Sequence, residues 1–179
     1  VASEVAHNLP GDYILATLHR PSNTDNPERL EAILEGLRLL DLGVVLPIHP
    51  RTRQKLNELG WLDRYLDDTK LRIIPPAGYL EMLHLEKNAR LIITDSGGVQ
   101  KEAYLFGTPC LTIRTETEWP ETLQDGWNRL VEARSAAIVE AASQVTQPTQ
   151  APQPLFGDGQ AARRITHILL HERELYPVA

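Results

Sequence analysis

The 179-residue chain carries a formal net charge of −6, and 42% of its residues are hydrophobic and 23% charged. These values are ordinary for a globular protein of one domain, and the negative charge argues against nucleic acid or an anionic membrane as the main partner. Cys110 is the only cysteine, which excludes a disulfide framework and a cysteine-based metal cluster and fits a reducing cytoplasm.

The first residues, VASEVAHNLPGDYILATLHRP, lack the charged start and the apolar core of a signal peptide, and the chain begins without methionine. No apolar stretch approaches the length of a membrane span. We therefore expect a piece of a longer, cytoplasmic protein.

Strand-like and helix-like segments alternate along the chain. Residues 26–41 carry leucine and isoleucine at helical spacing, whereas 43–49 is rich in β-branched residues, as in a buried strand. In chain order we predict a strand at 13–19, a helix at 26–41, a strand at 43–49, one helix or two short ones broken at Gly60 within 50–66, a strand at 71–76, a helix at 78–89, a strand at 90–95, a helix at 96–107 that stops at Gly107, a last clear strand at 109–114, a short helix from Trp119, a helix at 135–146, a loop at 147–154 and a terminal amphipathic helix at 159–175.

This alternation predicts an α/β fold with a Rossmann-like parallel sheet and helices on both of its faces. In open sheets of this type, ligands bind beyond the carboxyl ends of the strands. Three predicted strands end in polar residues, at His19-Arg20, at His49-Pro50-Arg51 and at Thr94-Asp95-Ser96. We expect these tips to converge on one ligand site.

The segment TDSGGVQKEA gives the strongest local signal. A helix that starts here presents free N–H groups and a positive dipole end to an anion, and phosphate suits such a site best. Glycines 97 and 98 permit unusual dihedral angles and a close approach of the backbone, and Ser96 can bond a phosphate oxygen. The alternative is that Ser96 only caps the helix while Gly97 and Gly98 allow tight packing.

Glu102 lies one helical turn beyond Gly98 on the same face, where a carboxylate can accept hydrogen bonds from ribose hydroxyls or simply favour the helix dipole. His19 at a strand tip can donate to phosphate or transfer protons near neutral pH, or it can be an ordinary loop histidine. Lys101 is more typical of a solvated surface residue.

Other polar residues have less specific interpretations. Arg114 or Thr115 could reach the same ligand, the acidic run after them favours solvated or capping residues, and Trp119 is expected to pack. The three histidines on predicted helices indicate surface or packing roles, and no spacing indicates a metal site. These histidines are His84, His167 and His171.

The chain resembles the C-terminal half of the non-hydrolysing UDP-N-acetylglucosamine 2-epimerases. The matching segments, in family order, are LATLHRPSNTDNPERL, VVLPIHPRTRQKL, IIPPAGYLEML, LIITDSGGVQKEAYLFGTPCLTIRTETEWPET and FGDGQAARRI. Family members often carry Arg-Glu-Asn where this chain has Pro21-Ser22-Asn23. The resemblance implies one half of a GT-B-type two-domain architecture, with residues 1–179 as the C-terminal nucleotide-binding domain and the N-terminal domain absent.

The resemblance also implies roles for individual residues. His19 would be catalytic, close to the diphosphate or to the leaving oxygen. Arg20 and His49 would help to bind a second, activating substrate molecule. The UDP-binding residues would be Tyr79 and Leu80 at uracil, Ser96, Gly97 and Gly98 at the diphosphate, and Glu102 at the ribose.

The implied activity is interconversion of UDP-GlcNAc and UDP-ManNAc, by loss of UDP and its re-addition. No metal or organic cofactor is expected. The expected partners are a UDP-sugar, the N-terminal domain that carries the proton-transferring carboxylates, and a second copy in a homodimer. The alternatives are an inactive nucleotide-binding module, or the donor-binding half of a GT-B glycosyltransferase or of a hydrolysing epimerase.

Overall fold

The computed structural model describes residues 11–171, and side chains from 11 to 170. Its strands are β1 (Ile14–Thr17), β2 (Val44–Pro47), β3 (Leu71–Ile74), β4 (Leu91–Thr94), β5 (Cys110–Ile113) and β6 (Asn128–Val131). Its helices are α1 (Pro21–Thr24), α2 (Pro27–Arg38), α3 (Pro50–Glu58), α4 (Leu62–Leu66), α5 (Tyr79–Asn88), α6 (Gly97–Phe106), α7 (Ser135–Ser143) and α8 (Ala161–His171), with a 3₁₀ turn at Pro120–Leu123.

All the strand pairs of the sheet are parallel, and the strand order is β3-β2-β1-β4-β5-β6. This is the strand order of Rossmann folds. In these folds the strands are added to one side of the first strand and then, from the fourth strand on, to its other side, and ligands bind at that switch point. The prediction of a Rossmann-like parallel sheet is therefore confirmed. Strand β1 lies at the centre, with β2 on one side and β4 on the other.

Both faces of the sheet are covered, because successive side chains of a strand point to opposite faces. Ile14 and Ala16 of β1 pack in one core, beneath α2 and α7, while Leu15 packs in the other, beneath α5 and α6. Strands β2, β4 and β5 bury every residue, which explains why they are apolar without alternation. Gly36 lets α2 approach α7, since a Cβ there would lie 3.1 Å from the Ser135 Cα.

The structure confirms some details of the predicted elements and departs from others. Residues 50–66 form two helices, and Gly60 between them has a φ of +68°. Gly107, with a φ of +65°, ends α6 as predicted. Strand 109–114 is not the last one, because Asn128–Val131 pairs with β5 as a sixth, edge strand. The short helix from Trp119 is a 3₁₀ turn, and α1 was not predicted.

The terminal helix α8 is exposed along all its described side chains, including Ile165, Ile168 and Leu169. The last four residues of the predicted helix, 172–175, and the His171 side chain lie outside the described part. Across residues 11–171, no helix combines the length and the apolar composition needed to cross a bilayer.

Candidate functional site

The three predicted strand tips meet at one edge of the sheet. Because β1 pairs with both β2 and β4, the residues that follow these strands become neighbours. The rings of His19 and His49 lie 5.3 Å apart between centroids, and the His19 Nδ1 lies 3.2 Å from an oxygen of Asp95. The expected convergence of the polar tips is confirmed.

Asp95 organises this edge. Its carboxylate is fully buried and accepts the backbone N–H groups of His19, at 3.1 Å, and of Arg20, at 3.0 Å. The Asn23 amide donates to it at 3.0 Å and also donates to the Ile113 carbonyl. Asp95 therefore fixes the loop after β1 to the end of β4 and holds the His19 ring, which remains 37% exposed.

Ser96 caps helix α6, because its Oγ accepts the Val99 N–H at 3.4 Å. The following glycines have ordinary helical dihedrals, so the conformational freedom suggested by the sequence is not used here. A Cβ added to Gly98 would meet only the Ser96 Oγ, at 3.8 Å. Gly98 is exposed and is not required for close packing against the protein, so the space outside the first helical turn stays open.

Gly97 faces the loop after β5. A Cβ on it would lie 3.4 Å from Glu118 and 3.5 Å from the Trp119 indole nitrogen. Glu118 accepts hydrogen bonds from Arg114 and from Arg20, each at 2.9 Å. Arg114 above all, and Arg20 with it, lowers the pKa of Glu118 to about 2. Glu118 is thus ion-paired beside the glycine turn, and its side chain is 48% exposed.

Glu102 lies on α6 one turn beyond the glycines, half-buried, next to Glu86 of α5. Glu86 is 1% exposed. Burial, and then the nearby Glu102, raises the pKa of Glu86 to about 8. Two carboxyl groups therefore meet between these helices, and burial favours the protonated form of Glu86.

Tyr79 and Leu80 open α5 after the carboxyl end of β3, and both are exposed, at 68% and 79%. They are thus accessible from the same edge of the sheet. Trp119 packs as predicted, edge-on against Phe156 with centroids 5.9 Å apart. Lys101 is not simply solvated, because its Nζ lies 4.1 Å above the Trp119 ring.

His84 and His167 are exposed on their helices, as expected. No group of three or more acidic, histidine or cysteine side chains within the described range could hold a metal ion. A groove of about 580 Å³ lies at the opposite edge of the sheet, where it is lined by residues such as Ile14, Leu91 and Pro109. That groove shares no residue with the predicted site.

Three features at or near the site were not predicted from the sequence. They are the role of Asp95 as an anchor, the burial of Asn23 and the burial of Glu86. Asp95 had a usable signal, because it directly follows a buried strand. Asn23 and Glu86 had none, since a loop asparagine and a helical glutamate are exposed in most proteins.

A family model described as UDP-N-acetylglucosamine 2-epimerase matches residues 1–170. The UDP-N-acetylglucosamine 2-epimerase of Methanocaldococcus jannaschii is 43% identical over 167 residues, which cover 91% of this chain and 46% of that protein. The UDP-2,3-diacetamido-2,3-dideoxy-D-glucuronate 2-epimerase of Pseudomonas aeruginosa is 46% identical over 161 residues, or 88% of this chain and 44% of that protein. The chain thus spans about half the length of these relatives.

Comparison with solved structures also shows similarity to about half of a UDP-N-acetylglucosamine 2-epimerase. The M. jannaschii epimerase in complex with UDP-GlcNAc and UDP superposes with a TM-score of 0.79 at 43% identity, covering 89% of this chain and 45% of that one. A glycosyltransferase bound to dTDP superposes with a TM-score of 0.58 at 14% identity, over 79% of this chain and 35% of that one, which shows a shared fold alone. With a family model that matches most of its length, this chain belongs to the UDP-N-acetylglucosamine 2-epimerase family.

Proposed function

We propose that residues 1–179 are the C-terminal, UDP-binding half of an isomerase that interconverts UDP-GlcNAc and UDP-ManNAc by elimination and re-addition of UDP. The observation that carries this proposal is the Ser96-Gly97-Gly98 turn, which opens α6 at the switch point of the sheet with free space over Gly98. The proposal is supported by the M. jannaschii relative, whose structure contains UDP-GlcNAc and UDP.

The diphosphate binds at the N-terminus of α6. The first N–H groups of a helix have no intrahelical acceptor, and the helix dipole adds positive potential there. Ser96 accepts its capping bond through Oγ, so its hydroxyl proton is free to bond a phosphate oxygen. Glu102 binds the ribose hydroxyls, and the backbone at Tyr79 and Leu80 lies against uracil.

His19 acts on the leaving group. Its Nδ1 faces the Asp95 carboxylate at 3.2 Å, which leaves Nε2 for the substrate. Cleavage of the anomeric C–O bond puts negative charge on the departing UDP, and preorganised donors lower the energy of that charge in the transition state. His19 donates to the leaving oxygen, and the N–H groups of α6 stabilise the diphosphate.

Epimerisation also needs a base that removes the C2 proton and an acid that returns one. We assign these carboxylates to the N-terminal domain of a GT-B-type parent, and we expect little turnover from the 179-residue chain alone. Arg20 and His49, which flank His19, are proposed to bind a second, activating substrate molecule. The parent is expected to be a cytoplasmic homodimer.

A second candidate is epimerisation of a UDP-2,3-diacetamido-glucuronate, and the 46% identity to the P. aeruginosa enzyme favours it. Both candidate substrates carry UDP, so the site described here fits either one. Kinetics of the parent protein with the two UDP-sugars would separate them. A glycosyltransferase half has weaker support, because that likeness rests on the fold.

Amide NMR of the folded chain titrated with UDP tests the site. We expect the largest shifts at residues 96–102 and around Tyr79. Inorganic pyrophosphate then separates the subsites: Gly98→Val should weaken both ligands, whereas Glu102→Gln should weaken UDP and spare pyrophosphate. A folded sample that shows no shift at millimolar UDP would refute the proposal.

A further inference from the structure

Glu86 has an unusual environment for a glutamate. It lies in α5 and is 1% exposed, and neither of its carboxyl oxygens receives a hydrogen bond from a donor group of the described residues. The side-chain group that interacts with it is the Glu102 carboxyl, and these two groups can share a hydrogen bond only if one of them carries a proton. The backbone carbonyl of Glu86 accepts the Thr108 hydroxyl at 3.1 Å, so the helix is held in place around it. An isolated buried carboxylate is very costly, so such a group must be neutral, or have a partner, to be retained.

The surroundings of Glu86 favour the neutral acid. Glu102 on α6 and Cys110 on β5 are the titratable groups that interact with it electrostatically, and neither offers a positive charge. Burial raises the pKa of Cys110 to about 12. Tyr13 on β1 donates to the neighbouring Leu85 carbonyl, and burial raises the pKa of Tyr13 to about 12 as well. Both therefore stay neutral at pH 7.

Glu102 is the natural acceptor for the proton of Glu86. It is on the adjacent helix, and it is more exposed than Glu86, so it carries the negative charge of the pair at lower cost. A carboxylic acid and a carboxylate share one strong, charge-assisted hydrogen bond. Such a bond restricts the rotamers of Glu102, the less buried partner.

We propose that Glu86 is a positioning residue, a protonated acid whose hydrogen bond to Glu102 holds the Glu102 carboxylate in the orientation that binds ribose hydroxyls. The inference rests on the proposed role of Glu102 in UDP binding. Above the pKa of Glu86, at about 8, the proton is lost and two anions face each other. Glu102 then moves away, and recognition of the ribose weakens.

The test compares the affinities of the chain for UDP and for 2′-deoxy-UDP, by calorimetry at about pH 7 and about pH 9, on either side of the raised pKa of Glu86. The dissociation constant for 2′-deoxy-UDP divided by the dissociation constant for UDP reports the contact with the 2′-hydroxyl: the stronger that contact, the larger the ratio. The titrations of the base and of the diphosphate are common to both ligands and cancel in the ratio. We expect the wild-type ratio to fall with rising pH.

Two variants separate positioning from packing. Glu86→Gln retains an N–H donor that does not titrate, so at both pH values it should keep the ratio near the value that the wild-type chain has at about pH 7. Glu86→Leu has no donor and should lower the ratio about tenfold at both, the equivalent of about 1.4 kcal/mol. Cys110→Val is the matched control: it alters packing beside Glu86 and leaves the Glu86 and Glu102 side chains unchanged, so the ratio should not change.

A wild-type ratio that does not change with pH, or one that falls equally in Glu86→Gln, would overturn the inference, and neither measurement needs the leucine variant to fold. A folded Glu86→Leu with an unchanged ratio would do the same. If the wild-type chain binds neither nucleotide, the proposed UDP site itself fails, and the role of Glu86 fails with it.

Discussion

Gly98→Val separates a ligand-binding role of the glycine turn from a structural one. A side chain at Gly98 would meet only the Ser96 Oγ, at 3.8 Å, and the backbone is helical. Glycine costs about 1 kcal/mol relative to alanine inside a helix, and valine costs less than glycine. We therefore expect Gly98→Ala to stabilise the fold by up to about 1 kcal/mol and Gly98→Val by a few tenths of that.

The affinity for UDP should change in the opposite direction. Under the proposed function, side-chain atoms of valine would occupy the open space through which phosphate reaches the first N–H groups of α6, so we expect the affinity to fall at least about tenfold, or about 1.4 kcal/mol. Calorimetry with UDP measures this loss. Thermal unfolding without ligand measures stability, and 1 kcal/mol corresponds to roughly 2–4 °C in a chain of this size.

Gly36→Ala is the control with the reverse pattern. Its Cβ would lie 3.1 Å from the Ser135 Cα and 3.2 Å from Ile138, which forces α2 and α7 apart. Such overpacking costs about 1–3 kcal/mol. The melting temperature should fall, and the affinity for UDP should not. Unchanged UDP binding by Gly98→Val, or weaker binding that is matched by a lower melting temperature, would refute the reasoning.

Three further predictions concern the charges at the strand tips. Asp95→Asn should lower the free energy of unfolding in urea by about 1–3 kcal/mol, because an amide cannot accept hydrogen bonds from all the donors around it. An unchanged urea midpoint would contradict the role of Asp95 as an anchor. The pKa of His49 lies below 6.5, lowered first by burial and then by His19. The contribution of His49 to the free energy of unfolding is therefore complete above pH 6.5 and is lost as the pH falls through the folded-state pKa. NMR of the imidazole ring measures this pKa, and His19→Asn should raise it. An unchanged pKa of His49 in that variant would rule out coupling of the two rings. Glu118→Gln should alter the free energy of unfolding by less than about 1 kcal/mol, because the Glu118 side chain is 48% exposed and its ion pairs are screened by solvent. A larger loss would show that the pairing with Arg20 and Arg114 holds the fold.

The sequence predicted the sheet well where burial dictates composition. β2 and β4 are buried on both faces, so their apolar residues appear as continuous runs. β6 was missed for the opposite reason. It is an edge strand that contains Asn128 and Arg129, and only its pairing with β5 makes it a strand.

The candidate site was predictable as a set of strand tips but not as a network. Asp95 and His19 are 76 residues apart in sequence, and they meet because β4 pairs with β1 rather than with β3. Strand order cannot be obtained from local patterns. The pairing of Glu118 with Arg20, over 98 residues, depends on the same order.

The buried aspartate at the end of β4 also has a mechanical consequence. One carboxylate is bonded to two consecutive amides of the loop after β1 and belongs to the same short segment as Ser96, the capping residue of α6. Asp95 therefore connects the histidine loop and the glycine turn directly. Under the proposed function, we expect a displacement of the turn by a bound anion to move His19 as well, because Asp95, which is bonded to the histidine loop, directly precedes Ser96.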